Sequence, residues 1–195
     1  KFTGLDKVAV KITGATVPLT DLDAILAATS GIVTATVASG TAADLVDALK
    51  NAKATDALKL EVTGTPTAAD LLALDGKTSV VVDVKATSIT GTAADVKKLL
   101  ASKGVSLDKN VAIEIKQDTE VSAADVNAIA KATGGIVTAT VAAGTAAALN
   151  KALGNATKND KITLKVSGKT ATASDLLALD GKTNVAVGAK EVESI

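Results

Sequence analysis

The sequence predicts an α/β fold, an open solenoid of about eight strand and short-helix units carrying a parallel sheet with leucine-rich-repeat-like geometry. Three observations predict it: internal repetition at two scales, apolar alternation of period two, and a recurring hydroxyl-Ala-Ala-acid phrase. The segment GIVTATVASGTAADLVDAL from Gly31 returns as GIVTATVAAGTAAALNKAL from Gly135, an offset of 104. LLALDGKT at Leu71 to Thr78 returns at Leu176 to Thr183, offset 105, and VAVKI at Val8 matches VAIEI at Val111, offset 103. The chain is therefore two copies of one block. Residues 1–105 hold the first four units, and 106–195 form a second block continuous with it.

Eight alternating runs begin near Lys7, Ile32, Ala57, Ser79, Asn110, Ile136, Lys161 and Asn184. Within them Val8, Val10 and Ile12, then Leu58, Leu60 and Val62, then Val80, Val82 and Val84 recur at every second residue. Val111, Ile113 and Ile115, and Ile162, Leu164 and Val166, do the same in the second block. That period is the mark of a strand with one core face. The alternate positions, among them Lys11, Lys59, Glu61, Asp83, Glu114 and Lys165, are costly to bury unpaired, so the other face meets water.

Between the strands stands Thr-Ala-Ala-Asp, at Thr41 to Asp44, Thr67 to Asp70 and Thr92 to Asp95, with variants at Ser122 to Asp125 and Thr172 to Asp175 and a looser case at Thr20 to Asp23. A hydroxyl followed three residues later by an acid is close to a capping box, with Asp in place of the usual Glu. Each phrase therefore starts a helix. Leu45 with Leu49, Val96 with Leu99 and Leu100, and Val126 with Ile129 keep helical spacing for two or three turns. Helices this short are marginal alone, so capping and packing of the apolar stripe on the sheet must hold them. Gly31, Gly76, Gly104, Gly135 and Gly181 are the expected stops.

Parallel strands joined by helices admit three architectures. A closed eight-stranded barrel buries both strand faces and usually needs ~250 residues, and a doubly wound sheet asks for continuously apolar strands. The polar alternate face disfavours both. The open solenoid remains, with helices on one side and a solvated sheet face on the other, and a charge at Leu60 or Val82 is expected to unfold the local units.

Composition narrows the function. Acids and bases balance at 21 each, so the chain lacks the basic field that nucleic acid or an anionic membrane requires. All the bases are Lys, and Arg, His, Cys, Met, Trp and Tyr are absent. The usual neutral-pH acid/base group, thiolate nucleophile and soft metal ligands are missing with them. No apolar run approaches the ~18 residues of a membrane span. The one aromatic, Phe2, offers no platform for sugar or base stacking.

Four features invite a chemical reading. The recurrent Asp44, Asp70, Asp95, Asp125 and Asp175 could form a carboxylate array, yet each occupies the same capping position, and one copy carries Ala148 instead. Gly-Lys-Thr at Gly76 and Gly181 suggests a phosphate loop, but Leu71 and Leu176 stand where its first Gly belongs. Thr34 with Thr36 and Thr138 with Thr140 place Thr-x-Thr on the exposed face of two strands, where Thr is simply a good strand residue. Lys beside Asn could form an intramolecular isopeptide bond only inside an apolar pocket, which spacing does not define. No residue is assigned a catalytic, cofactor-binding or metal role, and no cofactor is expected.

The phrases TGTPTAADLLALDGKTSVVVDV, GIVTATVASGTAADL and SITGTAADV resemble the strand-repeat segments of large secreted bacterial surface proteins of the S-layer and adhesin kind. The resemblance spans nearly the whole chain and implies export and assembly at the cell surface or in extracellular matrix. The Gly-Gly-x-Gly-x-Asp nonapeptide of the calcium-binding members is absent. The expectation is a non-catalytic structural protein that self-associates end to end or laterally in a surface layer, filament or matrix. The alternative is an adhesin or ligand-binding module using the exposed sheet face. Nucleic acid, membrane insertion and a small-molecule substrate are not expected.

Overall fold

The computed structural model describes residues 6–116 and 120–195; Phe2 lies outside them. Along the chain the elements are β1 (Val10–Val17), α1 (Leu19–Ala28), β2 (Val33–Val37), β3 (Gly40–Thr41), α2 (Ala42–Ala48), β4 (Ala57–Lys59), β5 (Glu61–Thr63) and α3 (Ala68–Asp75). There follow β6 (Val82–Val84), β7 (Ser88–Gly91), α4 (Ala93–Ala101), β8 (Val105–Ser106), β9 (Ala112–Ile115), α5 (Ala123–Ala132), β10 (Val137–Thr140), α6 (Ala146–Ala152), β11 (Lys161–Thr163) and α7 (Ala173–Asp180). The fold is mixed α/β with three parallel sheets, none closed into a barrel.

The chain divides into two compact units. The first runs to Thr87 and includes Ala101–Asp108; the second comprises Ser88–Leu100 and Lys109–Ile195. The first holds two sheets, ordered β1-β2-β4 and β3-β5-β6-β8, and the second holds one, ordered β7-β9-β10-β11. In each unit every strand pairs with strands one helix away along the chain, without the order reversal of a doubly wound sheet. The run at Asn184 forms no continuous strand; it makes isolated parallel bridges, Lys165 with Gly188 and Thr170 with Ser194.

Alternation places the core. Val33, Ala35 and Val37, Leu58, Leu60 and Val62, Ile113 and Ile115, and Ile162, Leu164 and Val166 are buried, while Thr36, Lys59, Glu61, Glu114, Thr163 and Lys165 between them are exposed. The helices present Leu22 and Leu26, Leu45, Leu71 and Leu74, Val96 and Leu99, Val126 and Ile129, Leu149, and Leu179 to the interior. Four expected core positions differ. Val8 and Val80 are 45% and 36% exposed because they lie outside the strands, two residues ahead of β1 and β6. Val10 and Ile12 are half-buried because β1 is a sheet edge.

The helix stops also differ from expectation. Gly31 and Gly135 lie past the C-caps, which are the extended residues Thr29 and Thr133. A Cβ on either glycine would stand 2.3 Å from the carbonyl oxygen of Val8 or Val111, just ahead of β1 or β9. These glycines permit close approach of one unit to the next. Gly76 and Gly181 do cap α3 and α7, in right-handed conformation.

The drifting repeat offset has a structural cause. Between its pairs Lys11 with Thr34 and Thr16 with Thr36, β1 takes five steps against two, so three extra residues loop out around Gly14, whose φ is +80°. In the second block Ile113 pairs with Val137 and Val121 with Val141, eight steps against four, which leaves four extra residues and moves the offset from 103 to 104. The turn from Gly168 to Thr172 is one residue longer than that from Gly64 to Thr67, which moves it to 105.

Candidate functional site

The recurrent acids support the helix caps, which the hydroxyls form. The hydroxyls of Thr41, Thr67, Thr92, Ser122 and Thr172 each accept the main-chain N–H three residues on, at 3.0 to 3.2 Å. Each hydroxyl donates in turn to that residue's own carboxylate, at 2.7 to 2.9 Å. Where Ala148 stands for the acid, Thr145 still accepts the N–H, at 3.3 Å. The looser phrase at Thr20 is not a cap. The α1 N-cap is Pro18, Thr20 bonds Asp21, and Asp23 accepts from the backbone and side chain of Asn51.

Asp125 has a further partner, the Lys97 ammonium, and this hydrogen bond together with that from Ser122 holds its carboxyl below the ordinary range. On the outward face, Lys85 donates to Asp83 at 2.8 Å, and that bond and the carboxylate charge raise the ammonium above its usual value. Lys116 pairs with Glu114 at 3.3 Å on the same face of the second unit.

The Thr-x-Thr pairs do not assemble into a flat threonine array. Thr34 sits between Lys11 and Ala57, and Thr36 between Thr16 and Lys59; Thr138 sits between Glu114 and Lys161, with Thr140 beside Thr163. The Lys-to-acid pairs among the described residues all lie at the surface, not in the apolar enclosure an isopeptide bond needs.

In Gly-Lys-Thr the threonine carries the structural role. Thr78 is buried; its hydroxyl donates to Leu58 O at 2.8 Å and accepts from the N–H groups of Leu58 and Val80. Thr183 does the same with Ile162 and Val185. Thr29 donates to Val8 O and Thr133 to Val111 O, at 2.6 and 2.7 Å. Asp56 and Asp160 complete the set, each accepting one N–H from the preceding strand, Val33 or Val137, at 2.8 Å. Their second oxygens accept the N–H of Lys53 or Thr157, also at 2.8 Å. These six are the buried polar side chains among the described residues. Each closes a helix-to-strand turn onto the strand before it. Sequence reasoning did not single out this ladder of residues; the signal was a Thr or Asp two residues before the Gly or aliphatic residue that opens six of the strand runs.

Beside this ladder in the second block lies an open depression of about 710 Å³, lined by Asn110, Asn155, Asn159 and Asn184 with Lys158 and Ile136. A second, smaller depression in the same unit is lined by Thr145, Thr170, Thr172 and Ser194. Among the described residues no three acidic side chains gather to hold a cation, and no helix is long and apolar enough to cross a membrane. Comparison with family models, curated proteins and solved structures gives no match.

Proposed function

We propose that the chain is a non-catalytic structural repeat protein of the bacterial cell surface or extracellular matrix, whose strand-helix units stack as an open solenoid and whose copies associate with one another. Sequential strand pairing supports the solenoid, since each unit leans on the one before it through both sheet and ladder. The chemically quiet composition and the likeness in phrase to secreted surface proteins support the rest.

One observation carries the self-association. Leu71 on α3 is fully buried and Leu72 half-buried, whereas their repeats on α7, Leu176 and Leu177, are half-buried and 75% exposed. The face of α7 thus offers apolar surface that its first-block copy keeps covered. Another strand-helix unit laid against α7 would bury it, and a second copy of this chain brings such units. On the outward sheet face Asp83 with Lys85 and Glu114 with Lys116 satisfy each other, while Lys11 and Lys59 line a shallow depression of about 560 Å³ in the first unit.

Electron microscopy and light scattering of the purified protein over rising concentration, without added ligand, test this reading. Ordered filaments or sheets are expected. A monomer at every concentration would refute self-association and favour an adhesive module.

A further inference from the structure

The depression in the second block has a lining that its fold does not require. Asparagine suits turns, so its presence there would be unremarkable by itself, and Asn155 has its counterpart in Asn51, but at the other three positions the first block makes the corresponding turns with other residues. Lys7 stands for Asn110, Thr55 for Asn159 and Ser79 for Asn184. The backbone geometry is the same: Ser79 N donates to Asp56 O at 2.7 Å, and Asn184 N to Asp160 O at 2.8 Å. The ladder residues around these positions are unchanged between blocks, whereas three of the four asparagines that line the depression are particular to the second block.

The charges nearby are already committed. Lys158 donates to the carboxylate and the carbonyl of Asp180, at 2.9 and 2.8 Å, and both oxygens of Asp160 are occupied by main-chain N–H groups. By contrast the carboxamides of Asn159 and Asn184 have no protein partner among the described residues, and that of Asn155 spends one N–H on Asn127. What faces solvent is a neutral set of paired donors and acceptors beside the apolar side chain of Ile136, 41% exposed.

We propose that this depression binds a neutral saccharide. A carboxamide offers a donor and an acceptor in one plane, which matches adjacent hydroxyls on a sugar ring, and Ile136 can take the ring's C–H face. A charged ligand would find no uncommitted counter-charge.

The test is titration of ¹⁵N-labelled protein with neutral hexasaccharides (maltohexaose, cellohexaose, hexa-N-acetylchitohexaose and mannohexaose) to about 10 mM, the weak-affinity range of a shallow site without aromatic stacking. Saturable shifts are expected for the side-chain amides of Asn159 and Asn184 and the backbone amides of Gly134 and Gly135 with at least one sugar. The double variant Asn159→Thr, Asn184→Ser carries the first block's own residues, so it should fold with an unchanged melting temperature and bind about tenfold more weakly or worse. Absence of saturable shifts with all four sugars would overturn the proposal, as would shifts confined to the sheet face or full affinity in the double variant.

Discussion

Asp56 is enclosed by protein, yet it carries a carboxylate whose two oxygens each accept one main-chain N–H, from Val33 and Lys53. Removing it leaves two donors without partners in a dry turn. Asp56→Ala should therefore cost about 3 kcal/mol in urea unfolding. Asp160→Ala should cost about the same, since its two main-chain bonds have the same lengths and its third, from the Thr157 hydroxyl, leaves a group that water can reach. Thr78→Val keeps the shape and loses the hydroxyl's donor and acceptor roles, so about 1 to 2 kcal/mol is expected there. Equal losses at equivalent positions of the two blocks would confirm that the ladder serves each block alike; a neutral Asp56→Ala would show that water reaches the turn. These residues were hard to read in the sequence because Thr and Asp are ordinary turn residues. Only burial separates Asp56, fully enclosed, from the exposed Asp44.

At the scale of elements, the helices were legible because their starts are chemical. The capping hydroxyls and the following acids are found at five of the seven helices as the phrase implied. Thr41→Ala or Thr67→Ala should destabilise by about 1 kcal/mol, while Thr20→Ala should be nearly neutral because Thr20 caps nothing. Ala148→Asp restores the missing acid of α6 and should stabilise by a few tenths of a kcal/mol; thermal unfolding reads all of these. The pH dependence at α5 has a defined sign. Asp125 is held below its ordinary value by Lys97 and then by Ser122, so its contribution is present above the unfolded-state value and is lost as pH falls through the lowered one. NMR titration of Lys97→Ala should show the Asp125 carboxyl moving up toward the ordinary range, and an unmoved midpoint would mean that Ser122 alone sets it. Helix ends and short strands were less legible. A glycine after a helix reads as a stop, whereas Gly31 and Gly135 stand where a Cβ would collide with the carbonyl of Val8 or Val111. The two-residue β8 is too short to show any periodicity at all.

Over the whole chain, repetition was the most legible property, because a duplicated block repeats its inward leucines and valines together with its caps. The offsets of 103, 104 and 105 recorded two single-residue insertions, one between Ile115 and Val121 and one in a turn, but sequence could not place them without the pairing register. The depression lined by asparagines was not legible for a related reason. Asn110, Asn155, Asn159 and Asn184 are spread over 75 positions and meet only through the stacking of successive turns. Stacking also leaves Leu177 on the surface of α7, which the proposed association would cover. Sedimentation velocity of the wild type beside Leu177→Asp, over a wide concentration range, tests that association most directly. The wild type should shift to larger species as concentration rises while Leu177→Asp, equally folded by circular dichroism, stays monomeric; identical behaviour of the two proteins would contradict it.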